Sequence, residues 1–254
     1  MGNVIRKFGF QTEIYKTRKA MGEAAGKKAE ELIVKVLKQK KEIRIIAASA
    51  PSQNEIIAYL AKSKLIDWKR VTAFHMDEYI GIDENAPQAF GKWLKDRLFG
   101  KVPIKAVHYL NPKAKDPAKE CARYTALLKK APIDVLLGGI GETGHLAFND
   151  PPVADFNDPL TVKVINIDIA SRQQQVNDGC FASLKDVPKK AFTLTLPILQ
   201  SAASVVYTVP KATKAAAVGK MFKGPIEKKC PASILRCHPD CYLFLDAESG
   251  KELL

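Results

Sequence analysis

The stretch that most constrains this chain runs Asp134-Val135-Leu136-Leu137-Gly138-Gly139-Ile140-Gly141-Glu142-Thr143-Gly144-His145-Leu146-Ala147-Phe148-Asn149-Asp150-Pro151-Pro152. Its apolar opening, Val135 to Leu137, has the length and type of a strand buried in a parallel sheet. Glycines at 138, 139, 141 and 144 then break the run. Glycine accepts φ > 0 and lets backbone approach a ligand closely. A histidine and two acids follow within a few residues. Open α/β sheets build their sites this way, at the carboxyl ends of strands. A tight turn with an incidental surface histidine is the plainer alternative, and the density of glycines, histidine and acid weighs against it.

The flanking sequence supports the same architecture. Apolar positions from Met21 to Leu37 recur at helical spacing, predicting an amphipathic helix over about 17–40 with a basic outer face. Ile43 to Ala48 reads as a buried strand and leads into Ser49-Ala50-Pro51-Ser52-Gln53-Asn54. A helix from about Asn54 to Ser63 follows. Strand, small-residue loop and helix start make an anion site; capping of the helix by Ser52 with Glu55 is the structural alternative. Val71 to Phe74 is a strand that ends at His75-Met76-Asp77-Glu78-Tyr79. Helices are expected over 87–99 and 117–130, with a short strand at Val107 to Leu110. The alternation predicts a single α/β domain over 1–254, a three-layer αβα sandwich with a mostly parallel sheet. Beyond Pro152, strands are expected at 161–165, 192–196, 204–209 and 242–245, and helices at 197–203 and 212–222. Residues 168–184 form a polar stretch without a clear pattern. Residues 1–15 read as an edge segment or arm.

Composition narrows the function classes. At 254 residues and 46% hydrophobic content, the chain can bury a sizeable core. No apolar run reaches membrane-spanning length, and Met1 to Lys16 lacks the apolar centre of a signal peptide. Five cysteines, an odd number in a chain this long, read as free thiols in a reducing cytoplasm. The net charge of +13 is spread along helical stretches. No basic run is interleaved with aromatics, so neither nucleic acid nor membrane is expected as a partner. Cys237-His238-Pro239-Asp240-Cys241 offers too few ligands for a structural zinc, and no metal site is expected. No Gly-x-Gly-x-x-Gly turn is followed by a ribose-binding acid at the proper distance, so no nucleotide cofactor is expected.

Two motifs carry a resemblance. Phe74-His75-Met76-Asp77-Glu78-Tyr79-Ile80-Gly81 resembles the F-N-M-D-E-Y-x-G signature of glucosamine-6-phosphate deaminase/isomerases. Gly138 through Pro151 resembles the same family's G-G-x-G-x-D-G-H-x-A-F-N-E-P. The related 6-phosphogluconolactonases share the glycine-histidine core and lack the Met-Asp-Glu-Tyr run. The resemblance implies a Rossmann-like fold and an amino-hexose 6-phosphate as substrate, with isomerisation to a ketose phosphate and loss of ammonia. It implies that Asp77 is the C1/C2 proton shuttle and that His145 opens the sugar ring, supported by Asp150 and Glu142. Ser49, Ser52, Gly141 and Lys214 match phosphate-loop and ligand-facing positions, and Arg172 is the nearest candidate for the family's phosphate arginine. A lysine at a helix start opposes the helix dipole, which favours a ligand role for Lys214.

The chain departs from the family pattern at His75, which stands where the family commonly has asparagine and could line the site, hydrogen-bond the substrate or simply pack, and at three further places. Thr143 stands two residues before the histidine where the family has an acid, Asp150 replaces a glutamate, and Ala50-Pro51 replace glycines of the phosphate loop. Lactone hydrolysis by His145 and non-catalytic sugar-phosphate sensing are the alternative functions. A homo-oligomer is compatible with the family, which spans monomers to hexamers.

Overall fold

The computed structural model describes residues 3–7 and 10–254. In chain order the elements are β1 (Asn3–Lys7), β2 (Phe10–Tyr15), α1 (Arg18–Gln39), β3 (Ile43–Ala47), α2 (Asn54–Leu60), β4 (Val71–His75), β5 (Asp77–Tyr79), α3 (Phe90–Leu94), β6 (Ala106–His108), α4 (Pro117–Leu128), β7 (Val135–Gly138), β8 (Val162–Asn166), α5 (Ile169–Asn177), β9 (Lys190–Leu194), α6 (Leu196–Gln200), β10 (Ser204–Val209), α7 (Ala215–Lys223) and β11 (Cys241–Asp246). The main sheet has the order β1-β2-β11-β10-β7-β3-β4-β6. All its pairings are parallel except β1 with β2 at the edge. The expected edge arm is thus two strands, with positions 1, 2, 8 and 9 outside the described residues.

Alternation along each strand divides the core in two, because successive side chains of a strand point to opposite faces. Ile43, Ile45, Val135 and Leu137 pack beneath α1 and α2. Ile46, Phe74, Leu136 and Val205 face α4, α6 and α7. The centre of the sheet is buried on both faces, which is why its strands read as continuous apolar runs.

The structure decides one placement that the sequence left open and corrects two expectations. The strands near 161–165 and 192–196 do not join the parallel sheet. With β5 they form a separate antiparallel sheet of order β5-β9-β8, over a small core that includes Tyr79, Phe90, Phe148 and Ile165. The helix expected over 87–99 starts at Phe90 and finishes as a π turn over Lys95–Phe99, with Gly100 N–H donating to Lys95 O. Ser52 and Glu55 make no capping box: α2 has no side-chain cap, and Arg18 Nε holds the Glu55 carboxylate at 2.8 Å.

The carboxyl ends of β3, β4, β7 and β10 lie side by side. The loop after β3, the step from β4 into β5, the glycine-rich turn after β7 and the loop after β10 therefore open on one cleft, as expected for a parallel sheet.

Candidate active site

Asp77 enters this cleft because a single residue, Met76, separates the end of β4 from the start of β5. Met76 O accepts from Leu194 N at 2.8 Å, which ties the step between strands to β9. Asp77 is 8% exposed. Burial, reinforced by the neighbouring Glu78 charge, raises its carboxyl well above the usual carboxylate range. Glu78 faces away from the cleft and accepts from the backbone N–H of Tyr79, Phe90 and Gly91. It anchors the start of α3. Burial raises Glu78 to about 7, the three N–H donors opposing that rise.

His145 sits on a turn closed by Gly141 N–H to His145 O at 3.0 Å and Gly144 N–H to Gly141 O at 3.0 Å. Gly144 has φ +82, a backbone that favours glycine. The imidazole is 7% exposed, and its Nδ1 lies 3.0 Å from Asp150 Oδ1. Thr143 Oγ1 and Ser171 Oγ each lie 2.9 Å from the same Nδ1 and donate to Asp150 Oδ1 at 2.8 and 2.7 Å. Burial alone would raise Asp150, but the bonds from His145, Ser171 and Thr143 outweigh it and hold the carboxyl below its ordinary value. The histidine thus has one anionic partner and two hydroxyls behind Nδ1, which leaves Nε2 beside Gly141 at the cleft wall.

The structure brings Ser49, Ser52, Gly141 and Lys214 to the same cleft. Ser49 Oγ donates to Phe90 O at 2.9 Å. Ser52 Oγ accepts from Gln53 Nε2 at 3.1 Å, which leaves its hydroxyl proton available. Lys214 is 4% exposed and stands at the N-cap position of α7 without a side-chain capping bond. Its ammonium has an ion pair with Glu142 at 3.5 Å, and burial lowers its pKa, with nearby Asp178 and Glu142 opposing the fall.

Two expected roles move. Glu142 is partnered with Lys214, not with His145. Arg172 does not reach the cleft: its Nη2 donates to Leu184 O and Val187 O at 2.6 and 2.9 Å, because α5 turns that side chain towards the segment before β9. His75 packs, and does not line the site. Its Nε2 accepts from Leu110 N at 2.8 Å, and full burial lowers it to about 3, so the ring is neutral. His238, in the Cys237–Cys241 segment, is likewise engaged at both nitrogens, with Ala202 O and Asp240 N.

Ser171, Gln174, Asp178 and Lys211 are site residues that the sequence left unassigned. The first three come from the polar stretch whose structure was unclear, now α5 and its C-cap. Gln174 Oε1 accepts from Glu142 N at 2.9 Å and fixes the glycine-rich turn. Among the described residues, two that are not glycine have positive φ, Ala147 at 52° and Lys211 at 83°, and both line the cleft. Such conformations cost of order 1–3 kcal/mol each and cluster at functional sites.

The sequence profile of the glucosamine-6-phosphate isomerases/6-phosphogluconolactonase family matches residues 16–243. The chain belongs to this family. It is 34% identical over 230 residues, 91% of this chain and 96% of the relative, to the glucosamine-6-phosphate deaminase of Listeria monocytogenes serotype 4a (strain HCC23). It is 31% identical over 236 residues, 93% of this chain and 86% of the relative, to that of Bacillus cereus (strain B4264). Among solved structures, a monomeric glucosamine-6-phosphate deaminase superimposes with a TM-score of 0.85 at 26% identity, covering 95% of this chain and 99% of that one. The 6-phosphogluconolactonase from Thermotoga maritima shares the fold, with a TM-score of 0.75 at 20% identity, covering 92% and 99% of the two chains. In this chain Met76 and Asp77 of the first motif and the Asp150-backed His145 of the second line one cleft. Among the described residues no helix is long and apolar enough to cross a membrane.

Proposed function

We propose that the protein converts an amino-hexose 6-phosphate, glucosamine or galactosamine 6-phosphate, to the ketose 6-phosphate and ammonia. The observation that carries this reading is the pairing, in one cleft, of a buried carboxylate at Asp77 with a histidine whose Nδ1 is held by Asp150. The relatives named as glucosamine-6-phosphate deaminases support it.

In this mechanism the sugar binds as the ring form. His145 Nε2 moves a proton between the anomeric hydroxyl and the ring oxygen, and Asp150 stabilises the imidazolium that forms in passing. Asp150 stays ionised, so Thr143 in place of an acid leaves the histidine with its counter-charge. Asp77 then takes the proton from C2 of the open-chain aldehyde and returns it to C1, while the C1 oxygen gains a proton given up by the C2 ammonium and becomes a hydroxyl. The resulting iminium at C2 is hydrolysed by water, and ammonia leaves with a ketone behind it. A carboxylate with a raised pKa suits the shuttle, because a base near the working pH both takes and returns a proton readily. Ser52 and Lys214 bind the phosphate. The reaction uses only proton transfers and water. The five cysteines are all unpaired thiols, which suits work in the reducing cytoplasm.

The test is incubation with glucosamine 6-phosphate while ammonia and fructose 6-phosphate are followed together, with galactosamine 6-phosphate and 6-phosphogluconolactone in parallel. Equal release of ammonia and ketose phosphate is expected from an amino sugar. Turnover of the lactone alone would overturn the proposal, because lactone hydrolysis needs no enolising base and leaves Asp77 without work.

A further inference from the structure

Lys211 holds a conformation that lysine ordinarily avoids. Its φ is 83° and its ψ 144°, a region close to one that glycine alone occupies freely. The surroundings enforce it. Lys211 N–H donates to Asp246 Oδ2 at 2.9 Å, and Asp246 Oδ1 accepts from Ser249 N at 2.8 Å, so the end of β11 fixes the loop after β10. An unstrained backbone would set the Cα–Cβ bond in another direction. As it stands, the side chain crosses to the C-cap of α5, where Nζ meets Asp178 Oδ1 at 2.6 Å. Lys211 and Asp178 both line the cleft, with Lys214 between the same elements.

The charges of this corner are two ammonium groups and two carboxylates. Lys211 is paired with Asp178 and Lys214 with Glu142. Lys214 Nζ makes no hydrogen bond, and Arg172 is engaged elsewhere. A dianion needs more than the one lysine that the sequence motif supplied. Asp178 is mostly buried, its side chain 11% exposed, whereas Lys211 is 38% exposed, so the lysine is the member free to turn towards an incoming ligand.

We propose that Lys211 is the second cation of the phosphate site, and that Asp178 is a placeholder counter-ion from which the substrate's phosphate takes it. This deepens the amino-sugar phosphate reading and rests on it for the identity of the substrate. Before binding, Asp178 satisfies the ammonium. On binding, the phosphate accepts from Lys211 and Lys214 together, and the Lys211–Asp178 bond is exchanged. Asp178 therefore sets affinity downward and Lys211 sets it upward.

The experiment measures inorganic phosphate binding by calorimetry, and glucosamine 6-phosphate kinetics, on Lys211→Gly, Lys211→Ala and Asp178→Asn. Loss of one charge-assisted hydrogen bond should weaken phosphate binding and raise KM about tenfold in both lysine variants, with kcat changed little. Glycine accepts the φ at 211, so Lys211→Gly should melt no lower than the parent; its weakened binding then reports the lost charge and not a disturbed loop. Asp178→Asn should tighten phosphate binding and lower KM about threefold, as the competing anion is gone. Unchanged phosphate binding in Lys211→Gly, or weaker binding in Asp178→Asn, would overturn the proposal. Phosphate binding that follows both residues while no amino sugar releases ammonia would sink the deaminase reading and leave the two-lysine site standing. Ammonia release with phosphate binding indifferent to both would do the reverse.

Discussion

Gly141 lies so close to the His145 imidazole that a Cβ on it would stand 2.0 Å from Nε2. Glycine is needed here for space, since no positive φ requires it. Gly141→Ala should push the ring out of its bond with Asp150. A displacement of about 1 Å at a reacting group can cost about 100-fold in rate, so kcat should fall by that order while phosphate binding persists. Steady-state kinetics beside phosphate titration checks this; an unimpaired kcat would mean that the ring moves aside freely.

Asp77→Asn should lower ammonia release by about 10²- to 10⁴-fold, the usual contribution of a positioned general base. In the parent, the rate should fall with decreasing pH through a value above the ordinary carboxylate range, since the base must be ionised and its pKa is raised. Stability has the opposite sign. Above its unfolded pKa of about 3.9, the unfolded chain has lost a proton that the folded Asp77 still binds. Stability therefore declines as pH rises towards the raised folded pKa. The asparagine variant escapes that penalty. It should melt higher than the parent at neutral pH and no higher below about pH 4, which melting curves across pH will show.

Ser171 joins a histidine 26 residues away in sequence. Ser171→Ala removes one donor from Asp150 Oδ1 and should cost about 1 kcal/mol of stability at neutral pH. Asp150 is a carboxyl lowered on folding, so its contribution is present above the unfolded pKa and fades as pH falls through the folded one. Combining Ser171→Ala with Asp150→Asn should be less than additive, because both touch the same oxygen. Additive losses in chemical denaturation would place the serine outside the network.

Arg172→Ala should destabilise by about 1–2 kcal/mol through the loss of its bonds to Leu184 and Val187 carbonyls, with KM for the sugar phosphate nearly unchanged. A tenfold rise in KM at unchanged stability would restore the arginine to the phosphate site.

What could be read from the sequence was what local pattern encodes. The runs at 43–48, 71–74, 135–137 and 204–209 announce strands buried on both faces. The glycines after Leu137 announce a backbone that comes close to a ligand, and the Asp77 and His145 motifs announce the chemistry. Each signal is complete within a short window, so no knowledge of distant residues was needed. The partners were not legible. Which acid backs His145 turned on the path from Thr143 to α5, which brings Asp150 and Ser171 to Nδ1 and takes Glu142 to Lys214. Whether Arg172 or Lys211 faces the cleft turned on the direction of one helix face and on a positive φ enforced by Asp246, 35 residues further along. Strands near 161–165 and 192–196 were legible, the second lying two residues earlier at Lys190–Leu194, but their separate sheet depends on pairing with β5, a three-residue strand with no period to detect. Local pattern sets the layered sheet, the cleft at its carboxyl edge and the two residues proposed to react, Asp77 and His145. Their counter-charges are set by packing, because side-chain direction and long-range contact are properties of the folded chain and not of any window within it.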